Sequence, residues 1–402
     1  MTTPRARPDN YPAILSYGFR PFFLMGALYG GLAILAWLPI LYGSLRTWSL
    51  FQPVDWHVHE LLFGYLAAVV TGFLLTAIPN WTGRLPVRGL PLALLALLWL
   101  AGRLAVFFSA GLGWAAAMVI DCAYLLALAG AAATEIVAGR NWRNLKVLGP
   151  VAALFAANLL FHVEAHYSGA ADIARRLGIA AAITLIMVIG GRIVPSFTRN
   201  WLARENPGRL PAPFDRFDAV TVVASVLALA GWTFAPEHAA TGAALVLSGV
   251  LNLARLERWA GWRARGEILV LILHIGYLFV PAGLLAAGIA AIAPDLLSPV
   301  AGIHLFGAGA IGTMTLAVMT RATLGHTGRD LHADAATSLI YAAVVLAALT
   351  RFAAVAAPDA APPLLDISAG CWTAAFLGFA ARYGGMLVRP KLRPRQPNRA
   401  PA

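Results

Sequence analysis

Two imidazoles and a carboxylate stand almost side by side in Trp56-His57-Val58-His59-Glu60, at the mouth of an apolar run, Leu61 to Ile78, long enough to span a bilayer. Ionisable side chains are costly at such depth and mark functional positions. Neutral imidazole ligates iron and copper well, so the stretch is read as metal-ligating. On a helix with about 100° per residue, positions two apart point about 200° apart, so His57 and His59 are expected to serve two neighbouring centres. Glu60 then becomes a carboxylate that orients a liganding imidazole.

Partners must come from other segments. His304, on the tenth apolar run, falls about 7 Å outside that helix's midpoint at 1.5 Å per residue, close in depth to His59. His274, on the ninth, falls deeper, and a haem ring with its two axial positions would bridge the difference. His57, His59, His274 and His304 are the expected ligands. His162 and His166 are one turn apart with Glu164 between them, and positions i and i+4 share a face; they read as a further metal-holding pair or as a hydrated helix end. His326 sits in the turn Thr323 to Arg329, where a structural or partner-binding role is expected at a depth separate from His57. His238 and His332, in or beside loops, are given no role. Arg103 and Asp121 fall at similar depth on adjacent helices and are expected to pair, because a buried charge needs a partner. Arg84, Arg192 and Arg321 lie toward the opposite ends of their helices. A guanidinium offers paired donors in a plane, so they either hold the propionates of a haem or mark the positive side of the membrane.

The elements that carry these residues follow from composition. The 402 residues are 60% hydrophobic and 12% charged, with a mean hydropathy of +0.73, whereas soluble domains run at about 45–50% apolar and about 25% charged. The fold class is all-α, a polytopic membrane protein. A spanning helix needs about 20 apolar residues, and twelve runs qualify: Pro21 to Tyr42, His57 to Pro79, Leu90 to Ser109, Leu112 to Val137, Leu145 to His166, Ile173 to Pro195, Phe217 to Ala235, Ala239 to Ala254, Glu267 to Ala290, Pro299 to Thr320, Ala333 to Ala356 and Leu364 to Leu387. They give one transmembrane domain over residues 1–402, with six helices in 20–195, a polar connection at 196–216, six more in 217–388 and a basic tail at 389–402. The eighth run is the shortest and is expected either to extend past its boundary or to tilt little.

A net charge of +12 raises the question of nucleic acid, and the distribution answers it. Basic residues crowd the loops that end even-numbered helices, as at Arg84 and Arg88, or Arg140, Arg143 and Lys146. Arg5 and Arg7 precede the first helix, and Arg389, Lys391, Arg393, Arg395 and Arg399 follow the last. Cytoplasmic loops are enriched in Lys and Arg, so both termini are predicted cytoplasmic and no nucleic-acid partner is implied. The amino end lacks a short apolar core with a small-residue cleavage site, so no removable signal peptide is expected. Cys122 and Cys371 fall inside apolar runs and imply neither a disulfide framework nor a cysteine-based metal site. Gly26, Gly30, Gly307, Gly309 and Gly312 are read as close helix-packing positions.

Three long strings carry a resemblance. Trp56-His57-Val58-His59-Glu60 with Gly72 to Arg84 after it, Gly190 to Asn200, and Gly312 to Ala322 running on into the Leu324 to Arg329 turn resemble the NnrS family of bacterial membrane proteins, in the same order and over nearly the whole chain. The resemblance implies an inner-membrane protein containing haem, of b type, and copper, linked to nitric oxide metabolism, nitrosative stress and denitrification. His57 and His59 fall in the family's histidine motif, and His274, His304 and His326 in segments similar to the family's. Nitric oxide as ligand comes from the resemblance, and whether the chain is an enzyme that reduces the gas, a sensor or a sink stays open. Two other classes compete: a secondary transporter with two six-helix halves, although no internal repeat is visible, and an accessory protein delivering haem or copper to a reductase.

Overall fold

The computed structural model describes residues 11–392; Arg5, Arg7, Arg393, Arg395 and Arg399, counted above among the basic residues, lie outside the described residues. Among the described residues there is no strand, and twelve helices are long and apolar enough to cross a membrane. They are α1 (Phe19–Leu41), α2 (Pro53–Thr82), α3 (Leu90–Phe107), α4 (Trp114–Ala138), α5 (Trp142–Ser168), α6 (Asp172–Glu205), α7 (Arg216–Phe234), α8 (Ala239–Glu257), α9 (Ile268–Ile292), α10 (Pro299–His326), α11 (Ala335–Ala356) and α12 (Pro358–Val388). This is a multi-pass membrane protein. The eighth helix runs past Ala254, the first of the two outcomes expected of its short apolar run. Two helices run furthest beyond their expected carboxyl ends. Pro195 lies inside α6 and does not stop it, since neighbouring groups in a bundle can satisfy the backbone that a proline frees. α10 continues beyond Thr320 to His326.

The twelve helices bring the start of α1 and the end of α12 to one side, called here the terminal face. Arg20, at the start of α1, fastens them together there. Its Nη1 donates to the carbonyls of Leu387 at 2.8 Å and Arg389 at 2.6 Å. Each span packs on a sequence neighbour and α12 returns to α1; α2, α6, α9 and α10 are the most buried of the twelve. Buried apolar residues from both halves of the chain form one continuous core. Small residues permit close approach at several crossings. A Cβ on Gly30 would fall 2.9 Å from the Tyr65 ring, and one on Gly312 would fall 2.5 Å from Trp372.

Three of the four central helices contain a π-helical stretch: Glu60–Leu66 in α2, Ile186–Gly190 in α6 and Leu305–Gly312 in α10. Such turns are rare and concentrate at functional sites. Each widens the helix, and in each a side-chain donor meets a carbonyl of the distorted stretch. Trp99 Nε1 donates to Gly64 O at 2.9 Å, Arg255 Nη1 to Met187 O at 3.1 Å, and the Thr315 hydroxyl lies 2.7 Å from Ile311 O. The stretches in α2 and α10 begin directly after His59 and His304.

Arg255 also explains the glycine pair of the Gly190-Gly191-Arg192 string. Its guanidinium is buried, bonded through Nε to Asp218 at 2.8 Å and through Nη1 to the Tyr277 hydroxyl at 2.8 Å. A Cβ on Gly191 would lie 2.1 Å from Arg255 Nη2, whereas one on Gly190 would meet nothing closer than 3.5 Å. Overpacking of a well-packed interior costs about 1–3 kcal/mol, so Gly191→Ala is expected to lower the thermal midpoint of the detergent-purified protein by several degrees while Gly190→Ala leaves it nearly unchanged. Equal midpoints for the two variants would show that Arg255 yields freely.

Loop carboxylates hold the helix starts on the terminal face. Asp215 caps α7, accepting from Phe217 N at 3.0 Å, and hydrogen bonding from Arg258 holds its carboxyl down at about 2. Asp334 caps α11 in the same way, its carboxyl held at about 2 by the Thr337 hydroxyl and backbone and by Arg382.

Candidate metal centre

α2 enters from the face opposite the termini, with Pro53 at its first turn, where a missing N–H costs nothing. Fewer than two turns in, His59 is fully buried. Phe51, Phe63 and Phe161 surround its ring, with centroids 4.9, 5.0 and 5.2 Å away. Four other helices direct polar groups at it. α4 supplies Asp121 and α3 supplies Arg103. α5 supplies Asn158 and His162, one turn apart on one face, and α1 supplies Tyr29.

The contacts form a closed network. His59 Nε2 lies 2.9 Å from Asn158 Oδ1 and 3.2 Å from Asp121 Oδ2. His162 Nε2 lies 3.1 Å from the same Asp121 oxygen, and Asn158 Nδ2 donates to it at 2.8 Å. On its other edge, His59 Nδ1 meets Glu60 Oε1 at 2.9 Å. Arg103 donates to Glu60 Oε1 at 2.7 Å and pairs with Asp121, and the Tyr29 hydroxyl donates to Glu60. All of these except Tyr29 are buried. The expected Arg103–Asp121 pair is therefore present, and the anticipated contact of Glu60 with an imidazole is made to His59.

His59 meets oxygen acceptors at both ring nitrogens. A neutral imidazole carries one N–H, so this placement calls for a second positive centre at Nε2, either a proton or a metal ion. With a metal at Nε2, the Nδ1–H is left to donate to Glu60, the arrangement that orients metal-bound histidines. Ligand atoms of His59, Asp121 and His162 lie within 4.8 Å of one another. The 3.1 and 3.2 Å spacings are close to the edge of about 3.3 Å that a tetrahedron with bonds of about 2.0–2.1 Å would have. Two carboxyl groups share the one guanidinium. A nitrogen-rich donor set in an apolar shell suits a copper or zinc ion.

The other expected ligands lie apart from this cluster. His57 diverges from His59 as the helical angle required. It stacks on Trp37 at 4.3 Å, with an interplanar angle of 13°, in electrostatic range of His304 and Arg351. His304 Nδ1 lies 2.9 Å from Val300 O. His274 does not join any of these three. Its Nε2 bonds to Thr198 at 2.8 Å and its ring packs against Gly261 near the terminal face, about 20 Å along the bundle axis from His304 at 1.5 Å per residue. The depth argument had brought these two closer because it ended α10 at Thr320. The six further residues shift that helix's midpoint toward the termini and leave His304 nearer the far face.

The three arginines also separate. Arg84 is taken up by Glu135, with Nε to Oε2 at 2.6 Å. Arg192 and Arg321 line a shared cavity of about 640 Å³ at the terminal face, together with His326. The imidazoles named from the sequence and the arginines named with them thus lie in separate parts of the bundle. His166 stacks on Trp114 at 4.4 Å, leaving His162 alone of that pair in the cluster, and Glu164 caps α6 through Ile173 N and Ala174 N. Sequence reasoning missed Asn158; the available signal was a polar residue one turn before His162 in an otherwise apolar span.

The family described as NnrS protein matches residues 13–391 of the chain. No curated protein matches it.

Proposed function

Because the chain belongs to the NnrS family, we propose that it is a bacterial inner-membrane metalloprotein, with haem and copper as its cofactors, that binds or responds to nitric oxide and protects against nitrosative stress linked to denitrification. The observation that carries the metal part is His59, which faces oxygens on both ring nitrogens inside a cluster with His162 and Asp121. His59, Asp121 and His162 would hold copper, with Asn158 alongside. A bound copper ion supplies a one-electron centre with affinity for the gas.

The chain's own groups would shape that chemistry. Glu60 fixes the ring of His59 through Nδ1, and Arg103 offsets the paired carboxylates so that the site can be built below the membrane surface. Phe51, Phe63 and Phe161 exclude water yet admit a small apolar gas arriving through lipid. The arrangement supports binding of the gas.

The test is direct. Protein purified from copper-replete cells should retain about one copper per chain, and nitric oxide added to the reduced form should produce a new absorption or magnetic-resonance signal that is lost after copper is removed with a chelator. Copper-free protein from such cells, or a signal insensitive to chelation, would overturn the assignment.

A further inference from the structure

The cavity at the terminal face has a lining unlike the metal cluster. Phe23, Phe73, Trp81 and Phe197 give it aromatic walls, and Arg192, Arg321 and His326 are its titratable groups; no Asp or Glu is among its lining residues. At about 640 Å³ it lies within the 300–1,000 Å³ typical of small-molecule sites, far larger than an inorganic anion needs.

Arg192, which is exposed, and Arg321, which is half-buried, stand out against the fully buried arginines. Arg103 is matched by Glu60 and Asp121, and Arg255 by Asp218. Arg321 instead lies over the Phe197 ring at 4.0 Å, with no carboxylate in ion-pair distance among the described residues. Arg192 has only the Asn144 amide oxygen at 2.9 Å and the Trp81 ring at 5.7 Å. Glu267 acts on Arg321 only electrostatically, outside ion-pair distance, and a guanidinium pairs best with carboxylate or phosphate in two parallel hydrogen bonds. His326 adds an imidazole in ring contact with Tyr17 and Phe19, at 6.0 and 5.4 Å, and makes no hydrogen bond among the described residues. Beyond it lies a second cavity of about 460 Å³, lined by Arg20 and Lys391 and, among the described residues, by no carboxylate.

We propose that the larger cavity binds a flat aromatic ligand carrying carboxylates, with Arg192 and Arg321 as the anion partners and His326 beside its ring system. Aromatic walls favour a ring-shaped body through stacking; the arginines select its acidic groups. The inference rests on the reading above in one respect: should the ligand be the haem of that reading, its imidazole is His326 and none of His57, His59, His274 or His304. The copper cluster on the far face is a separate site, so each proposal can fail alone.

Protoporphyrin IX and its dimethyl ester are suitable probes, because the ester keeps the ring and loses the charges. With the full chain in phosphatidylcholine nanodiscs, the free acid is expected to bind about 30-fold more tightly than the ester, the range for one or two charged hydrogen bonds. The Arg192→Gln/Arg321→Gln variant should lose that preference, and each single variant should lose part of it. His326→Ala should leave the metal-free ring bound with near wild-type affinity but abolish the Soret shift seen when haemin is added to wild-type protein. Copper content read on the same samples reports folding and the other site independently. Equal affinity for acid and ester, or an undiminished preference in the double variant, would overturn the proposal. So would arginine-dependent retention of phosphatidylglycerol, measured by mass spectrometry of the purified protein, with no porphyrin binding, since the occupant would then be an acidic lipid.

Discussion

Alanine at His59 or at His162 is expected to strip the purified chain of copper while leaving it in the membrane. Each change removes a nitrogen donor from a cluster whose ligand atoms lie within 4.8 Å of one another, and neither removes a charge that Arg103 needs. Glu60→Gln is expected to weaken binding by about 10–100-fold, the usual cost of losing the group that orients a ligand. His166→Ala and His304→Ala should keep the metal, because His166 stacks on Trp114 and His304 lies with His57 and Arg351, outside the cluster. Metal content by mass spectrometry, with affinities from competition against a Cu(I) chelator, reads all five variants on one scale. Wild-type copper in both the His59 and His162 variants would refute the centre.

The second large effect concerns the charge balance beneath it. Arg103→Met leaves Glu60 and Asp121 buried without their shared cation, and breaking a buried ion pair by removing one partner costs about 3–5 kcal/mol. Thermal unfolding in detergent, supported by the yield of membrane-inserted protein, should record a loss of that size. Asp121→Asn alone should also be damaging, since Oδ1 meets Arg103 while Oδ2 meets His59, Asn158 and His162, and the amide keeps one oxygen and no charge. The double variant Arg103→Met/Asp121→Asn should lose less than the sum of the two, with a coupling of about 0.5–3 kcal/mol expected for groups in contact. Strictly additive losses would mean that the two side chains stabilise the bundle independently.

Several of these features were legible before any coordinates. Arg103 and Asp121 could be paired because α3 and α4 are joined by a short connection and both residues fall at similar counts from it. His57 and His59 could be separated because the helical rotation between positions two apart is fixed by backbone geometry. Glu60 beside His59 followed from adjacency. His326 was placed correctly at the terminal face, but its cavity was not, since that space exists only where α1, α2, α6, α9 and α10 meet. The π-helical stretches left no sign that apolar periodicity could register.

The sequence by itself determined the membrane class and the twelve spans, because lipid allows only helices with satisfied backbones and apolar surfaces of a set length. Tertiary structure alone decided which residues at one depth become neighbours. His59 meets His162 and Asn158, His57 approaches His304, and His274 joins neither. Helix order in the bundle, rotation and tilt are set by side-chain packing between spans, and a shift of one helix by a single turn moves an imidazole about 5.4 Å, enough to make or break a metal centre.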